Sequence, residues 1–270
     1  MTPGQVAGAK RDEAVRDALP DAKADALARL YDLDLAEDPG DDIALYLALA
    51  ERTGGPILEL AAGTGRIVRP LAAAGYQVTA LDNDPAMLGR LNAMAPANVT
   101  AVLADLLTWR PPRPIYQLAI LGLNALFLLA ERHQQRAAIE SLGAALKPGG
   151  LAVVDVWLPD AVDLARYDQR LLVDYIRVEP ESGLTVTKTV AALHDAATAT
   201  VLLTSIYDEG RPGGPVARWI RRDTLRLVGA GELVDLARAG GLEVELLAGD
   251  YSLEPLGPGA DRAVLLARRP

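Results

Sequence analysis

Ile57-Leu58-Glu59-Leu60-Ala61-Ala62-Gly63-Thr64-Gly65-Arg66-Ile67 organises the reading of this chain. A short apolar run of strand type enters a Gly-x-Gly turn that opens toward a helix, and Asp82 closes the next apolar run, 17 residues beyond Gly65. Such geometry lays a small ligand across the carboxyl ends of the first two strands, with an acidic side chain ready to accept hydrogen bonds from ribose hydroxyls. It implies an adenosine-containing cofactor. Counted as a dinucleotide fingerprint from Gly63, the third glycine would fall at Val68, so no close approach over a pyrophosphate is provided for. Glu59 would also add negative charge beside two phosphates. A cationic ligand without phosphate suits the turn better.

Working outward, short apolar runs at 57–61, 77–82, 99–104, 117–121 and 151–157 alternate with helix candidates at 64–74, 85–95 and 131–146. The last helix ends in Lys147-Pro148-Gly149-Gly150, a stop signal. Continuous apolar strands alternating with helices predict a parallel sheet covered on both faces. Before this region, Leu27, Leu30 and Tyr31 share a helical face. Asp41 or Asp42 is positioned to cap a second helix carrying Ile43, Tyr46, Leu47 and Ala50. After Asp160 the pattern becomes β-like at 172–179, 184–193, 199–208 and 216–228, with turn clusters and no helix between, so these strands should be antiparallel. A helix at 231–239 and strands at 242–248 and 262–268 return the chain to α/β. The expected organisation is a helical cap (1–54), a cofactor-binding core (55–160), an inserted antiparallel lid (161–228) and a C-terminal completion of the core (229–270).

The 270 residues are enough for one large domain or a domain with an insertion. Half are hydrophobic, which excludes disorder as the main state. The absence of cysteine removes disulfides, thiolate-held zinc, iron–sulfur clusters and thiol nucleophiles. With His133 and His194 the only histidines, a metal is not expected. The first residues have no apolar signal region, and the longest apolar run, 118–130, is interrupted by Asn124 and too short to span a bilayer. A cytoplasmic location, no membrane partner and a monomer or homodimer are the expectations. Net charge is −9, and residues 1–55 carry 12 acidic against 6 basic side chains, so a nucleic-acid partner is not expected.

Five stretches, in order, resemble the motifs of the class I S-adenosylmethionine-dependent methyltransferases. They are Glu59–Gly65, Leu81-Asp82-Asn83-Asp84-Pro85-Ala86-Met87-Leu88, Leu103-Ala104-Asp105-Leu106, Gln117–Asn124 and Leu146–Leu151. The resemblance implies a Rossmann-like methyltransferase fold: a seven-stranded, mostly parallel sheet flanked by helices, with N-terminal helices and an inserted antiparallel β lid. It implies S-adenosylmethionine as cofactor, S-adenosylhomocysteine as product and a small-molecule acceptor. By the same resemblance the cofactor is held by Tyr31, Glu59, Ala61, Gly63, Gly65, Asp82, Asn83, Met87, Asp105, Leu106 and Leu121. Asp82 grips the ribose and Asp105 meets the adenine amino group, with helix capping as the competing reading for Asp105. The family commonly has glycine where Ala61 stands, so positive φ there would carry strain.

On the acceptor side, Asn124 and Phe127 follow the fourth strand and Trp157 follows the fifth, while Tyr175, Tyr207 and Trp219 lie in the inserted strands. All six are candidates to wall a pocket. Arg218, Arg221 and Arg222 are candidates to recognise an acidic substrate group, but a solvated strand face is the preferred reading; His133 reads as a surface residue and His194 as part of an exposed hairpin turn. No catalytic side chain is assigned, because a sulfonium donor already carries an activated methyl group and mainly requires orientation and exclusion of water. The lack of a convincing base favours an amine acceptor, or an acidic acceptor that needs no base, over a hydroxyl. The alternatives are a nicotinamide-dependent oxidoreductase on the same type of sheet and a non-catalytic cofactor-binding relative.

Overall fold

The computed structural model describes residues 19–37 and 40–270, with side chains from residue 22 onward in the first segment. Residues 1–18 of the expected helical cap lie outside the described residues. Two helices come first, α1 (Leu19–Asp34) and α2 (Asp41–Thr53). Gly40, with φ of 78°, caps α2 in place of the expected aspartate. Asp42 is instead buried in an ion pair with Arg66.

The core follows as β1 (Ile57–Leu60), α3 (Val68–Ala73), β2 (Val78–Asp82), α4 (Pro85–Met94), β3 (Val99–Leu103) and β4 (Tyr116–Leu121). A 3₁₀ turn (Ala125–Leu128), α5 (Arg132–Ala145) and β5 (Leu146–Trp157) complete its first half. Helix α3 starts four residues later than its sequence pattern suggests, because the turn through Gly65 continues to Ile67. A short helix that the sequence reading missed, α6 (Ala161–Tyr167), is closed by a reciprocal capping box between Asp160 and Asp163.

Four long antiparallel strands come next: β6 (Leu171–Val178), β7 (Thr185–Asp195), β8 (Thr200–Gly210) and β9 (Val216–Arg226). They pair in sequence order as a sheet of their own. The chain ends with α7 (Ala230–Ala239), β10 (Glu243–Ala248) and β11 (Arg262–Arg268).

The main sheet has seven strands in the order β10-β11-β5-β4-β1-β2-β3, with β11 antiparallel to both its neighbours and the other pairings parallel. Alternation along β1 sends Leu58 and Leu60 to the face covered by α5 and α7, and Ile57 to the face covered by α2, α3 and α4. Each fully buried leucine contributes roughly 2 kcal/mol of burial. Glu59 shares the Ile57 face, which brings a carboxylate inside the protein immediately before the turn. The order reverses between β1 and β4, so their carboxyl ends open a crevice, the place where α/β sheets bind ligands.

One face of the small sheet covers that crevice. Its Val186 and Tyr207 form a cluster with Leu30 and Leu33 of α1, with Leu27, Tyr175 and Trp219 packed around it. Farther along the same face, Val190, Ala192, Val201 and Leu203 look onto the 3₁₀ turn, β5 and α6. Among the described residues, no helix is long and apolar enough to cross a membrane.

Candidate active site

The turn after β1 is shaped by close approach. Gly65 has φ of 85°, and a Cβ there would sit 2.2 Å from Leu91 Cδ1 of α4, so only glycine fits without displacement. Ala61 does adopt positive φ, at 55°, which costs roughly 1–2 kcal/mol for a residue with a Cβ. Neighbouring bonds hold it there: Ala62 N donates to Leu81 O at 3.0 Å, and Gly63 N donates to Asp82 Oδ2 at 2.7 Å. The other oxygen of Asp82 accepts from Asp84 N at 2.9 Å. Asp84 in turn caps α4 by accepting from Ala86 N and Met87 N. Asp82 thus ties β1 to β2 while its carboxylate still faces a cavity.

That cavity, about 500 Å³, is lined by Tyr31, Ala61, Gly63, Asp82, Asn83, Met87 and Leu106 from the expected cofactor set. The remaining four expected residues lie elsewhere. Gly65 is buried against Leu91, and Leu121 is fully buried in the core, because its side chain faces the α5 and α7 side of the sheet. Asp105 is exposed and uses Oδ1 to accept from Leu107 N at 2.8 Å, while its neighbours Ala104 and Leu106 line the cavity. Glu59 stands behind the turn, 4% exposed, with Oε2 lacking any hydrogen-bond partner.

Burial, reinforced by the charge of Asp82, holds the Glu59 carboxyl well above the usual carboxylate range, and Arg66 opposes the shift. Arg66 itself makes a bidentate pair with Asp42 at 2.5 and 2.9 Å. The phenol of Tyr31 is pushed up to about 12, first by burial and then by Glu59, against Arg221 and Arg66. The next residue, Asp32, accepts from Thr64 Oγ1 at 2.5 Å and from Arg90 Nε at 2.9 Å. These bonds anchor α1 over the turn. An orphaned buried carboxylate oxygen, a backbone cradle at Gly63 and the Asp82 carboxylate form a donor and acceptor set that fits a cationic aminoacyl sulfonium joined to a ribose.

Lys23, Ala24 and Leu27 of α1 and Arg221 and Asp223 of β9 also line the cavity, none of them expected there. Only the period-two alternation of β9 offered a signal. It turns Arg221 and Asp223 inward, joined by a 2.7 Å ion pair, and Arg222 outward. The solvated-face reading therefore fails for Arg221. Arg218 does stand on solvent, paired with Asp208.

A second cavity, about 270 Å³, lies between the small sheet and the core. Phe127 and Trp157, both expected on the acceptor side, line it together with Leu164, Tyr167, Val190 and Leu203. Its polar lining is Asp163, Asp174, Lys188, His194 and Ser205. His194 is the next-to-last residue of β7 and half-buried against this cavity, not part of the exposed turn, which begins at Ala196. His133 is exposed.

The two cavities are neighbours. Ala125 and Leu128 of the 3₁₀ turn line the first and Phe127 the second, while the register partners Ser205 and Arg221 face the second and first respectively.

Asn124 lines neither. With φ of 60° it turns its Oδ1 to accept from Trp157 N at 2.5 Å, pinning the end of β4 to the end of β5. The preceding Leu123 N donates to the buried Asp155, which also accepts from Tyr46, Tyr251 and Arg262. Burial raises the Asp155 carboxyl despite these partners. Gly122 has no room for a side chain, since a Cβ would lie 2.6 Å from the Tyr46 hydroxyl. Three of the expected acceptor residues belong instead to the junction of α1 with the small sheet. Tyr175 and Tyr207 donate to the two oxygens of Asp34, and Trp219 Nε1 donates to Glu209. Their polar tips find partners on α1 and on β8, and none of the three rings lines either cavity.

Residues 57–150 match the family described as a methyltransferase domain. Over 61 residues the chain is 43% identical to the mycinamicin-resistance protein MyrB of Micromonospora griseorubida, a match taking in 23% of this chain and only 20% of that protein. The CcbJ methyltransferase from Streptomyces caelestis has the same architecture, with a TM-score of 0.74 at 25% identity over 87% of this chain and 98% of that one. Two more solved structures share the fold. The sugar N-methyltransferase KedS8 of a Streptoalloteichus species gives 0.70 at 20% identity, covering 89% of this chain and 93% of that one. CalS10, an amino pentose methyltransferase of Micromonospora echinaspora solved with S-adenosylmethionine bound, gives 0.64 at 21%, covering 88% and 91%.

With the crevice, the turn and the order of strands, these likenesses support a class I S-adenosylmethionine-dependent methyltransferase whose methyltransferase domain is residues 57–150. The nicotinamide and non-catalytic alternatives are set aside.

Proposed function

We propose that this enzyme methylates an amine on a small molecule, with the 270 Å³ cavity as the acceptor chamber and the small sheet with α1 as its cover. The observation that carries the reading is the adjacency of the two cavities across the 3₁₀ turn and the Ser205–Arg221 pair. When bound, S-adenosylmethionine supplies a methyl group that passes to the acceptor's lone pair while the carbon–sulfur bonding electrons return to sulfur. In this reading Gly63, Asp82 and Tyr31 hold the cofactor, with the buried Glu59 carboxyl behind the turn as a countercharge for it.

The protein's task is alignment and drying. The pinned 3₁₀ turn fixes the partition between the chambers, and the apolar residues of β7 and β8 exclude water. An ammonium has no lone pair, so the acceptor gives its proton to water before attack. The names of the sugar N-methyltransferase and amino pentose methyltransferase neighbours support nitrogen as the acceptor atom.

Leu203→Trp, which fills the chamber from β8, tests the reading. Transfer of labelled methyl to an amine panel should fall at least about tenfold while S-adenosylhomocysteine affinity stays within about twofold. Unchanged transfer, or exclusive O-methylation in product analysis, would refute it.

A further inference from the structure

Resting on that reading of the chamber, we infer that the acceptor is a monosaccharide-sized cationic amine that carries no phosphate, and that its carrier is not a nucleoside diphosphate. Charge is the first argument. The chamber sets two carboxylates, Asp163 and Asp174, against one ammonium, Lys188. Lys188 is already spent, with Nζ 3.1 Å from Asp174 and 3.0 Å from Asp34. Counting Asp34, three negative groups surround one positive group. Asp163 keeps Oδ1 available, since its capping bond from Asp160 N goes to Oδ2. An anion brought here meets net negative charge in a partly dry cavity, where the effective dielectric constant is well below that of water. An ammonium meets the opposite.

The arginines give the second argument. A diphosphate is held by guanidinium forks with free donors. The inner face of the small sheet offers the chamber's neighbourhood Arg221, ion-paired with Asp223. Arg177 is held by Leu33 O and Glu37, and Arg226 by Gln135 and Glu232. Arg166 is exposed and lies over the Tyr167 ring at 5.2 Å, and neither it nor any other arginine lines the chamber.

Volume is the third. About 270 Å³ is below the roughly 300 Å³ at which sites for drug-sized ligands begin, so the space admits one ring and its substituents. Trp157 and Tyr167 supply aromatic surface for the apolar faces of such a ring or for its cation.

Three probes titrated into the enzyme saturated with S-adenosylhomocysteine separate the possibilities: methyl glucosaminide, methyl glucoside and uridine diphosphate glucosamine. Methyl glucosaminide should bind at least about tenfold more tightly than either of the others, about 1.4 kcal/mol, and the preference should weaken as salt rises. The double variant Asp163→Asn, Asp174→Asn keeps side-chain acceptors for the capping box and should reduce that ratio to under about threefold. Asp174→Lys should shift preference toward the diphosphate.

Equal or tighter binding of the nucleotide-linked probe overturns the inference, as does no binding of the amine or a ratio indifferent to the carboxylates. Leu203→Trp separates the two levels. If amine binding survives that variant, the chamber reading itself is lost. If the variant abolishes binding but the nucleotide-linked probe is preferred, only the charge inference is.

Discussion

Around the cofactor cavity, polar side chains bond to backbone near them in the fold. Asp82 accepts from Gly63 N and Asp84 N, and Asp84 from Ala86 N and Met87 N. Between α1 and the small sheet, side chains bond to one another across most of the chain. Arg29 bridges Glu179 and Glu209, and Asp34 gathers Tyr175, Tyr207 and Lys188. The first construction joins two short runs, 61–65 and 81–87, at the ends of neighbouring strands, so residue type and spacing specify it. The second depends on which helix meets which strand, so no local pattern specifies it. It also makes α1 and the small sheet one mechanical unit, held to the core by Asp32 through Thr64 and Arg90.

The sharpest way to break the contrast is to remove one carboxylate on each side. Asp82→Ala should weaken S-adenosylhomocysteine binding about 100-fold, near 2.8 kcal/mol, by calorimetry, because two backbone donors and the ribose lose their acceptor together. Asp34→Ala should cost about 2 kcal/mol of unfolding stability through the two stranded tyrosine hydroxyls. It should speed hydrogen exchange in α1 and β6–β9 more than in β1–β5, with cofactor affinity changed less than about fivefold. Equal exchange in both regions would dissolve the mechanical unit.

A pH series sharpens the cofactor side. Glu59 has its folded pKa raised, so it is protonated in the free enzyme at pH values where an exposed glutamate is ionised. A cationic cofactor favours the ionised form. S-adenosylmethionine affinity should therefore rise with pH from the usual carboxylate range up through the raised value and then level off. For folding the sign is opposite: with no ligand, the shift costs stability increasingly as pH rises above the unfolded value. Glu59→Gln should flatten the binding profile, and a slope that persists in this variant assigns it elsewhere.

The smallest effect belongs to Ala61→Gly. Relief of the 55° φ, less the greater entropy of glycine in the unfolded chain, should raise stability by about 0.5–1 kcal/mol in denaturant titrations. A loss of stability would mean that the methyl group packs better than the strain suggests.

Legibility followed the same division. The strands, Asp82, Gly63 and the inner placement of Phe127 and Trp157 came from motifs and strand ends, although β5 begins at Leu146, five residues before its apolar run and through the Lys147–Gly150 stretch read as a stop. Tyr175, Tyr207 and Trp219 were misplaced because an aromatic on a strand identifies only an inward face, and this sheet's one inward face serves both α1 and the chamber. His194 was misjudged by where the hairpin turn begins, a matter of one or two residues. Arg221 and Asp223 were missed because a run of charges hides which members alternate inward.

What the amino-acid sequence determined by itself was the α/β sheet, its crevice and the cofactor's binding turn. Each follows from contacts between residues close in sequence or from the fixed periods of helix and strand. The tertiary structure alone decided which side chains line the second cavity. It depended on the packing of α1 on the face of β7 and β8 and on the pinning of the 3₁₀ turn by Asn124 and Asp155, contacts that span 30 to 180 residues of chain.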